Sequence, residues 1–131
     1  MARRPVLIAS AARDPFVSEL VRTLQSEGWE VLTAHDVETT QRMVRSKQPS
    51  LVVLDPVLPG GDALSLCKQW KSDPKTSEMP VFVFSVLMAR DRCMEAGADG
   101  FMLKPIEQDL LLDQVHEVLN SRVMQLHRRA K

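Results

Sequence analysis

Three side chains that could handle a phosphoryl group each follow a short apolar run. They are the carboxylate of Asp55, the hydroxyl of Ser85 and the ammonium of Lys104. If the runs are neighbouring parallel strands, their carboxyl ends share one edge of the sheet, where open α/β folds hold their ligands. A nucleophile, a hydrogen-bond donor and a cation would then lie together. The runs are Leu51–Leu54, Val81–Phe84 and Phe101–Leu103.

Apolar runs of strand length alternate with segments of helical period along the whole chain. This pattern predicts an α/β fold with a mostly parallel five-stranded sheet and helices on both faces. The predicted strands are Pro5–Ser10, Trp29–Thr33, Ser50–Leu54, Met79–Ser85 and a fifth after Gly100. The predicted helices are Pro15–Glu27, 36–47, 62–74, a short one ending near Ala96, and 106–122, of which the last turns Leu110, Leu111, Val115, Val118 and Leu119 inward.

Length and composition indicate one globular domain with no strong preference for a charged partner. The chain has 131 residues, with 17 Lys+Arg and 17 Asp+Glu, so no net field favours nucleic acid or an anionic membrane. No apolar run approaches the roughly 20 residues of a membrane span. Cys67 and Cys93 have no metal-ligand or redox spacing, and we expect two buried thiols in a cytoplasmic protein.

The motifs around these strand ends resemble the receiver domain of two-component response regulators. Leu54–Asp55 precedes Pro59–Gly60, Gly97–Asp99 precedes the last strand, and Lys104–Pro105 ends it. The resemblance covers residues 5–122, between a tail at 1–4 and a C-terminal tail or helix extension at 123–131. It implies a flavodoxin-like (βα)5 three-layer sandwich and a signalling, phospho-accepting domain rather than an enzyme.

The resemblance also implies a role for each matched residue. Asp55 would accept a phosphoryl group from a histidine kinase, Ser85 would hydrogen-bond a phosphoryl oxygen, and Lys104 would pair with another. Phe101 is either the switch aromatic of the output face or a core residue. The Lys104–Pro105 peptide is expected to be cis.

The main departure from the family lies at the end of the first strand. Receivers bind Mg²⁺ with an acidic pair at that point, the acceptor Asp and a backbone carbonyl, here that of Val57. Ala11 and Ala12 stand at the acidic pair, so we expect weak or lost Mg²⁺ binding through Asp55 and the Val57 carbonyl.

Two residues just beyond the alanines have alternative interpretations. Asp14 precedes Pro15 and is expected to begin the first helix rather than to bind metal. Arg13 is either an exposed loop residue or a guanidinium that replaces the metal ion beside Asp55. We expect Lys104 to pair with Asp55 in the unmodified site, with no other acid nearby, so that Asp55→Asn should lower stability.

Two functional interpretations remain, and they differ in whether the domain works through phosphorylation. The first is a receiver that takes phosphate on Asp55 weakly if at all; the second is a pseudo-receiver that binds proteins independently of phosphorylation. The segment between Ser85 and Lys104 is a few residues shorter than in most receivers, which alters the fourth helix. We expect a sensor kinase or another signalling protein as partner, with no direct contact to nucleic acid or membrane.

A homodimer through the fourth helix, fifth strand and fifth helix is the candidate self-association, with Leu112 as an available apolar residue. A flavin or nucleotide carrier on the same fold is disfavoured because no phosphate-binding glycine loop is present. We expect the chain to be a stand-alone regulator or a piece of a longer protein.

Overall fold

The computed structural model describes residues 4–86, 89–104 and 108–129, and it contains five strands and five helices. The strands are β1 (Val6–Ala9), β2 (Val31–Ala34), β3 (Leu51–Leu54), β4 (Val81–Ser85) and β5 (Gly100–Leu103). The helices are α1 (Pro15–Ser26), α2 (Val37–Lys47), α3 (Ala63–Ser72), α4 (Arg90–Glu95) and α5 (Gln108–Arg129).

All five strands are parallel, in the order β2-β1-β3-β4-β5. The chain goes from β1 to β2 on one side and then returns past β1 to β3 on the other, so β1 lies between β2 and β3. The register pairs Ala9 with Leu54 and Ser85 with Leu103. The predicted fold class, a flavodoxin-like α/β three-layer sandwich, is confirmed.

Alternating strand residues build a separate core on each face of the sheet. In β1, Leu7 and Ala9 join one buried cluster, whereas Val6 and Ile8 join the other. The first cluster includes apolar residues of α2, α3 and α4, and the second includes those of α1 and α5. Because both faces are covered, β1, β3 and β4 are buried at every position, as expected for a parallel sheet.

Three helices begin at an aspartate whose side chain accepts backbone N–H groups. Asp14 accepts from Phe16, Asp36 from Thr39, and Asp62 from Leu64 and Ser65. These bonds satisfy donors that a helix leaves unpaired at its start. The Thr39 amide lowers the pKa of Asp36, and the Ser65 hydroxyl, followed by the Ser65 amide, lowers the pKa of Asp62.

The Gly97–Asp99 turn fixes the start of β5 against α3 and β4. One oxygen of Asp99 accepts both the Val81 N–H, at 2.8 Å, and the Lys71 ammonium, at 2.7 Å. Lys71 also donates to the Met79 carbonyl at 2.7 Å. Gly97 has φ +97°, and a Cβ there would lie 2.8 Å from the Lys71 side chain, so this turn requires glycine.

The structure corrects several predicted boundaries and one helix face. β2 begins at Val31 rather than Trp29 because Trp29 is still part of the turn after α1, where its N–H bonds Leu24. α5 continues to Arg129, past the predicted end at residue 122. On α5, Leu110 is 47% exposed rather than buried, whereas Leu112 packs against the core instead of lying free at the surface.

In the described part of the chain, no helix is both long enough and apolar enough to cross a lipid bilayer. Cys67 and Cys93 are both buried and free, as predicted.

Candidate functional site

Asp55 leaves the sheet at the carboxyl end of β3, next to the end of β1. Its N–H donates to the Ala9 carbonyl at 2.9 Å, so β1 holds the backbone that carries the acid. The residue is only 6% exposed. One carboxylate oxygen, Oδ1, accepts the Val57 N–H at 3.0 Å, which leaves Oδ2 to face a cation.

Ser85 and Lys104 lie at the ends of the next two strands and are linked through the backbone. The Lys104 N–H donates to the Ser85 carbonyl at 2.7 Å, and both residues are buried. The Lys104 ammonium lies 5.0 Å from the centre of the Phe84 ring, within range of a cation–π contact. The sheet edge therefore holds a buried lysine, as the strand-end pattern predicts.

Two carboxylates contact the Lys104 ammonium. Asp55 Oδ2 lies 2.9 Å from Nζ, which is the pairing expected from the sequence. Asp14 Oδ2 also contacts the same nitrogen. The expectation that no other acid reaches the site is therefore wrong, and Asp14 has a second function besides starting α1.

Asp14 is the site residue that the sequence analysis missed. Its position before Pro15 signalled a helix start, and the structure bears that out through the hydrogen bond from Phe16 N–H. Nothing in the local pattern signals its pairing with Lys104, which lies 90 positions away in the sequence. Only the closing of α1 onto the edge of the sheet brings the two together.

The segment between β1 and α1 carries no acid before Asp14. Ser10 continues β1 beside Asp55 and is buried, whereas Ala11 and Ala12 are exposed. Arg13 is exposed too, which favours the loop interpretation over a guanidinium seated in the site. Its φ of 64° is left-handed, which is uncommon for a residue with a side chain.

The predicted output elements are only partly described. Phe101 is half-buried and packs against the core cluster on the α3 and α4 side of the sheet. The helix α4 has 6 residues, consistent with the short segment between Ser85 and Lys104. The predicted cis peptide at Lys104–Pro105 and Met88, the first residue of the predicted contact surface, lie outside the described residues.

The acids described at this edge differ from the set that the family resemblance implies, because Asp14 is the one acid that joins Asp55. A Mg²⁺ site needs carboxylate and carbonyl oxygens arranged around one hard cation. Asp14 and Asp55 direct one oxygen each at the Lys104 ammonium, so both carboxylates have this cation as a partner. Within residues 4–86, 89–104 and 108–129, no three acidic, His or Cys side chains form a group able to hold a metal ion.

The remaining chemistry of the site is that of a buried, cation-paired carboxylate. The Asp55 carboxylate can act as a nucleophile, and Lys104 can neutralise negative charge that arrives on it. Formally, two carboxylates and one ammonium leave the cluster with a single negative charge. An incoming phosphoryl group would therefore meet an anionic site with one organic cation.

Comparisons with known proteins agree on the family. The profile of the response regulator receiver domain matches residues 12–116. The response regulator PleD of Caulobacter vibrioides is 34% identical over 104 residues, 77% of this chain and 23% of PleD. The DNA-binding dual master transcriptional regulator RpaA of Synechocystis is 31% identical over 110 residues, 81% of this chain and 46% of RpaA.

Solved structures show the same architecture. A putative response regulator from Chloroflexus aurantiacus superposes with a TM-score of 0.79 at 26% identity, covering 90% of this chain and 99% of that one. A CheY-like receiver domain from Methanospirillum hungatei, at 19% identity, shares the fold with a TM-score of 0.83 and covers 95% and 99% of the two chains. The chain spans less than half the length of PleD or RpaA. By its matched profile, its curated relatives and its fold, this chain belongs to the receiver domain family of two-component response regulators.

Proposed function

We propose that this domain is a phosphorelay receiver in which Asp55 accepts a phosphoryl group weakly if at all. Asp55 Oδ2 would attack the phosphorus of a kinase phosphohistidine. The new O–P bond forms as the P–N bond breaks, and the imidazole leaves with the electron pair of that bond. The product would be an acyl phosphate on Asp55, with Lys104 as the nearby cation and Ser85 as a candidate donor to a phosphoryl oxygen.

The observation that carries this proposal is the Lys104 ammonium held between Asp14 and Asp55. In phosphoryl transfer, catalysis depends on positioning and on neutralising the charge of the transferring group. Receiver domains generally bind Mg²⁺ for this purpose. Here Ala11 and Ala12 supply methyl groups, and one lysine must serve both carboxylates. The reaction is therefore expected to be slow.

A pseudo-receiver that binds partners without phosphorylation is the second candidate. The pairing of Lys104 with Asp55 favours this candidate, because a carboxylate that already has a cation partner is stable without metal or phosphate. Exposed apolar residues on α4, β5 and α5 offer a contact surface, and β5 contacts both helices. These residues are Met94, Leu103 and Leu110.

The partner proposed for either function is a sensor histidine kinase or another signalling protein. A homodimer through α4, β5 and α5 is the proposed self-association. The two relatives named above carry different descriptions, one a response regulator and the other a DNA-binding regulator, and both are much longer than this chain. We therefore propose no output activity for the whole protein.

The deciding experiment is incubation with a small-molecule phosphodonor, with and without Mg²⁺, followed by intact-mass measurement. A receiver gains the mass of one phosphoryl group, and Asp55→Asn removes that gain. The control is Ser65→Ala, which removes an exposed hydroxyl at the start of α3, away from the sheet edge. If the wild type stays unmodified at saturating donor and Mg²⁺, the phospho-accepting proposal fails and the pseudo-receiver stands.

A further inference from the structure

The buried ammonium of Lys104 has two anionic partners that come from distant parts of the chain. The side chains of Lys104, Asp14 and Asp55 are 2%, 10% and 7% exposed, respectively. An ammonium buried to this degree is strongly destabilising unless it is paired. Lysine has three N–H donors, so two carboxylates leave one donor for a further acceptor.

Asp14 is held in place independently of the lysine. Its Oδ1 accepts the Phe16 N–H at 2.9 Å, and its backbone carbonyl accepts the Val17 N–H at 3.1 Å. Oδ2, the other carboxylate oxygen, contacts Lys104. The start of α1 therefore orients one oxygen of Asp14 toward the site while using the other to cap the helix.

We infer that Asp14 is a positioning residue that keeps Lys104 in the site whatever the charge state of Asp55. When Asp55 loses its charge, the ammonium keeps the Asp14 carboxylate as its partner. In an acyl phosphate, Lys104 could exchange the Asp55 oxygen for a phosphoryl oxygen without leaving Asp14. This last consequence depends on the proposed phospho-acceptor function, whereas the anchoring of Lys104 does not.

A double-mutant cycle of Asp14→Asn and Asp55→Asn, without Mg²⁺, tests the anchoring directly. Asparagine caps a helix about as well as aspartate, so Asp14→Asn removes the charge while keeping the start of α1. Each single variant leaves the ammonium one carboxylate, and each should lower the unfolding midpoint slightly. The double variant should lower it by at least twice the sum of the two single effects. Additive effects would overturn the inference.

The control cycle replaces Asp14 with Asp62, an exposed helix cap outside the Lys104 cluster. Asp62→Asn makes the same substitution at the start of α3, where the carboxylate bonds Leu64 and Ser65. Combined with Asp55→Asn, it should give additive effects. Non-additivity of equal size in this control would also overturn the inference, because it would reflect general loss of charge.

A second readout follows the lysine itself. In protein labelled with ¹⁵N-lysine, the Lys104 ammonium protons should give a slowly exchanging signal in the wild type and in Asp55→Asn. The signal should disappear in the double variant. Its loss in Asp55→Asn alone would show that Asp14 does not hold the lysine. If Asp14 acted only as a helix cap, the signal would depend on Asp55 alone, so that Asp14→Asn would keep it and Asp55→Asn would lose it.

If the double variant does not fold, a third substitution keeps the inference testable. Lys104→Met removes the unpaired ammonium and should restore folding to the Asp14→Asn, Asp55→Asn protein. Failure of this rescue would count against the anchoring. The outcome is separate from phosphorylation: a non-additive cycle in a protein that never gains phosphate would retain the anchoring and refute the phospho-acceptor function.

Discussion

Asp14, one residue before helix α1, contacts the ammonium of Lys104, which follows the last strand of the sheet. The pair links the start of the first helix to the carboxyl edge of the sheet, where the same ammonium also binds Asp55. In a chain whose first strand is followed by Ser10, Ala11 and Ala12, this contact supplies an acid that those positions lack. It also gives the buried lysine a second carboxylate partner in a site with an incomplete acidic pair.

Addition of Mg²⁺ should have little effect on the wild-type protein. The ammonium already lies between the two carboxylates, so a divalent ion would have to displace it. We expect millimolar Mg²⁺ to leave the thermal midpoint and the Val57 amide resonance nearly unchanged. A saturable shift that Asp14→Asn or Asp55→Asn removes would instead show that the two carboxylates hold a metal.

Restoring acids after the first strand should create metal binding. Ala11→Asp with Ala12→Asp adds two hard oxygen ligands near Asp55, and Mg²⁺ prefers such ligands. The double substitution is expected to make the Val57 resonance respond to Mg²⁺ and to increase labelling by a phosphodonor. The matched control, Ala11→Asn with Ala12→Asn, has similar size without the charge and should show neither gain.

Replacing the lysine should cost more stability than replacing either acid. Lys104→Met leaves two buried carboxylates facing each other, and loss of one partner of a buried ion pair costs about 3–5 kcal/mol. Asp55→Asn should cost about 1 kcal/mol, because Asp14 still pairs with Lys104. Urea unfolding of the variants measures both free energies.

The comparison for Lys104→Met is Lys71→Met, which removes a more exposed ion pair. Lys71 and Asp99 have side chains 16% and 26% exposed, so solvent screens their attraction. We expect a loss of about 1 kcal/mol there. Equal losses for the two lysine variants would argue against a specially stabilised cluster at the sheet edge.

Self-association through the last helix should be tested at Leu110 rather than Leu112. Leu110 is exposed, whereas Leu112 packs against the core, so Leu112→Glu would disturb folding instead of an interface. If a dimer forms through α4, β5 and α5, Leu110→Glu should weaken it at least tenfold by sedimentation. Asn120→Glu places the same charge at another exposed position of α5 and should leave it intact. Monomeric behaviour of the wild type at high micromolar concentration would exclude this dimer.

The two thiols should be unreactive in the folded protein at neutral pH. Burial raises the pKa of the Cys67 thiol to about 11, and burial also raises that of Cys93. Since the thiolate is the reactive form, a thiol above its usual pKa stays protonated and slow to react at pH 8. An aromatic disulfide reagent should modify neither cysteine in native protein and both after denaturation. Rapid reaction of native protein would show that α3 or α4 opens.

Features that depend on local residue patterns could be predicted for this protein before its structure was known. The alternation of apolar runs and helical segments predicted the five β–α units, because strand and helix periods are properties of neighbouring residues. It also placed Asp55, Ser85 and Lys104 at strand ends, since a parallel sheet brings those ends to one edge. The aspartates that begin α2 and α3 were predictable for the same local reason.

The partners of the charged groups and the covered faces of the helices depend instead on how remote segments pack. The contact between Asp14 and Lys104 depends on how α1 closes against the sheet, and no nearby residue encodes that approach. The exposure of Leu110 depends on the rotation of α5 about its axis, where a small turn exchanges neighbouring apolar residues between core and solvent. Ion pairing and burial arise from distances between remote segments, and these exist only once the chain has folded.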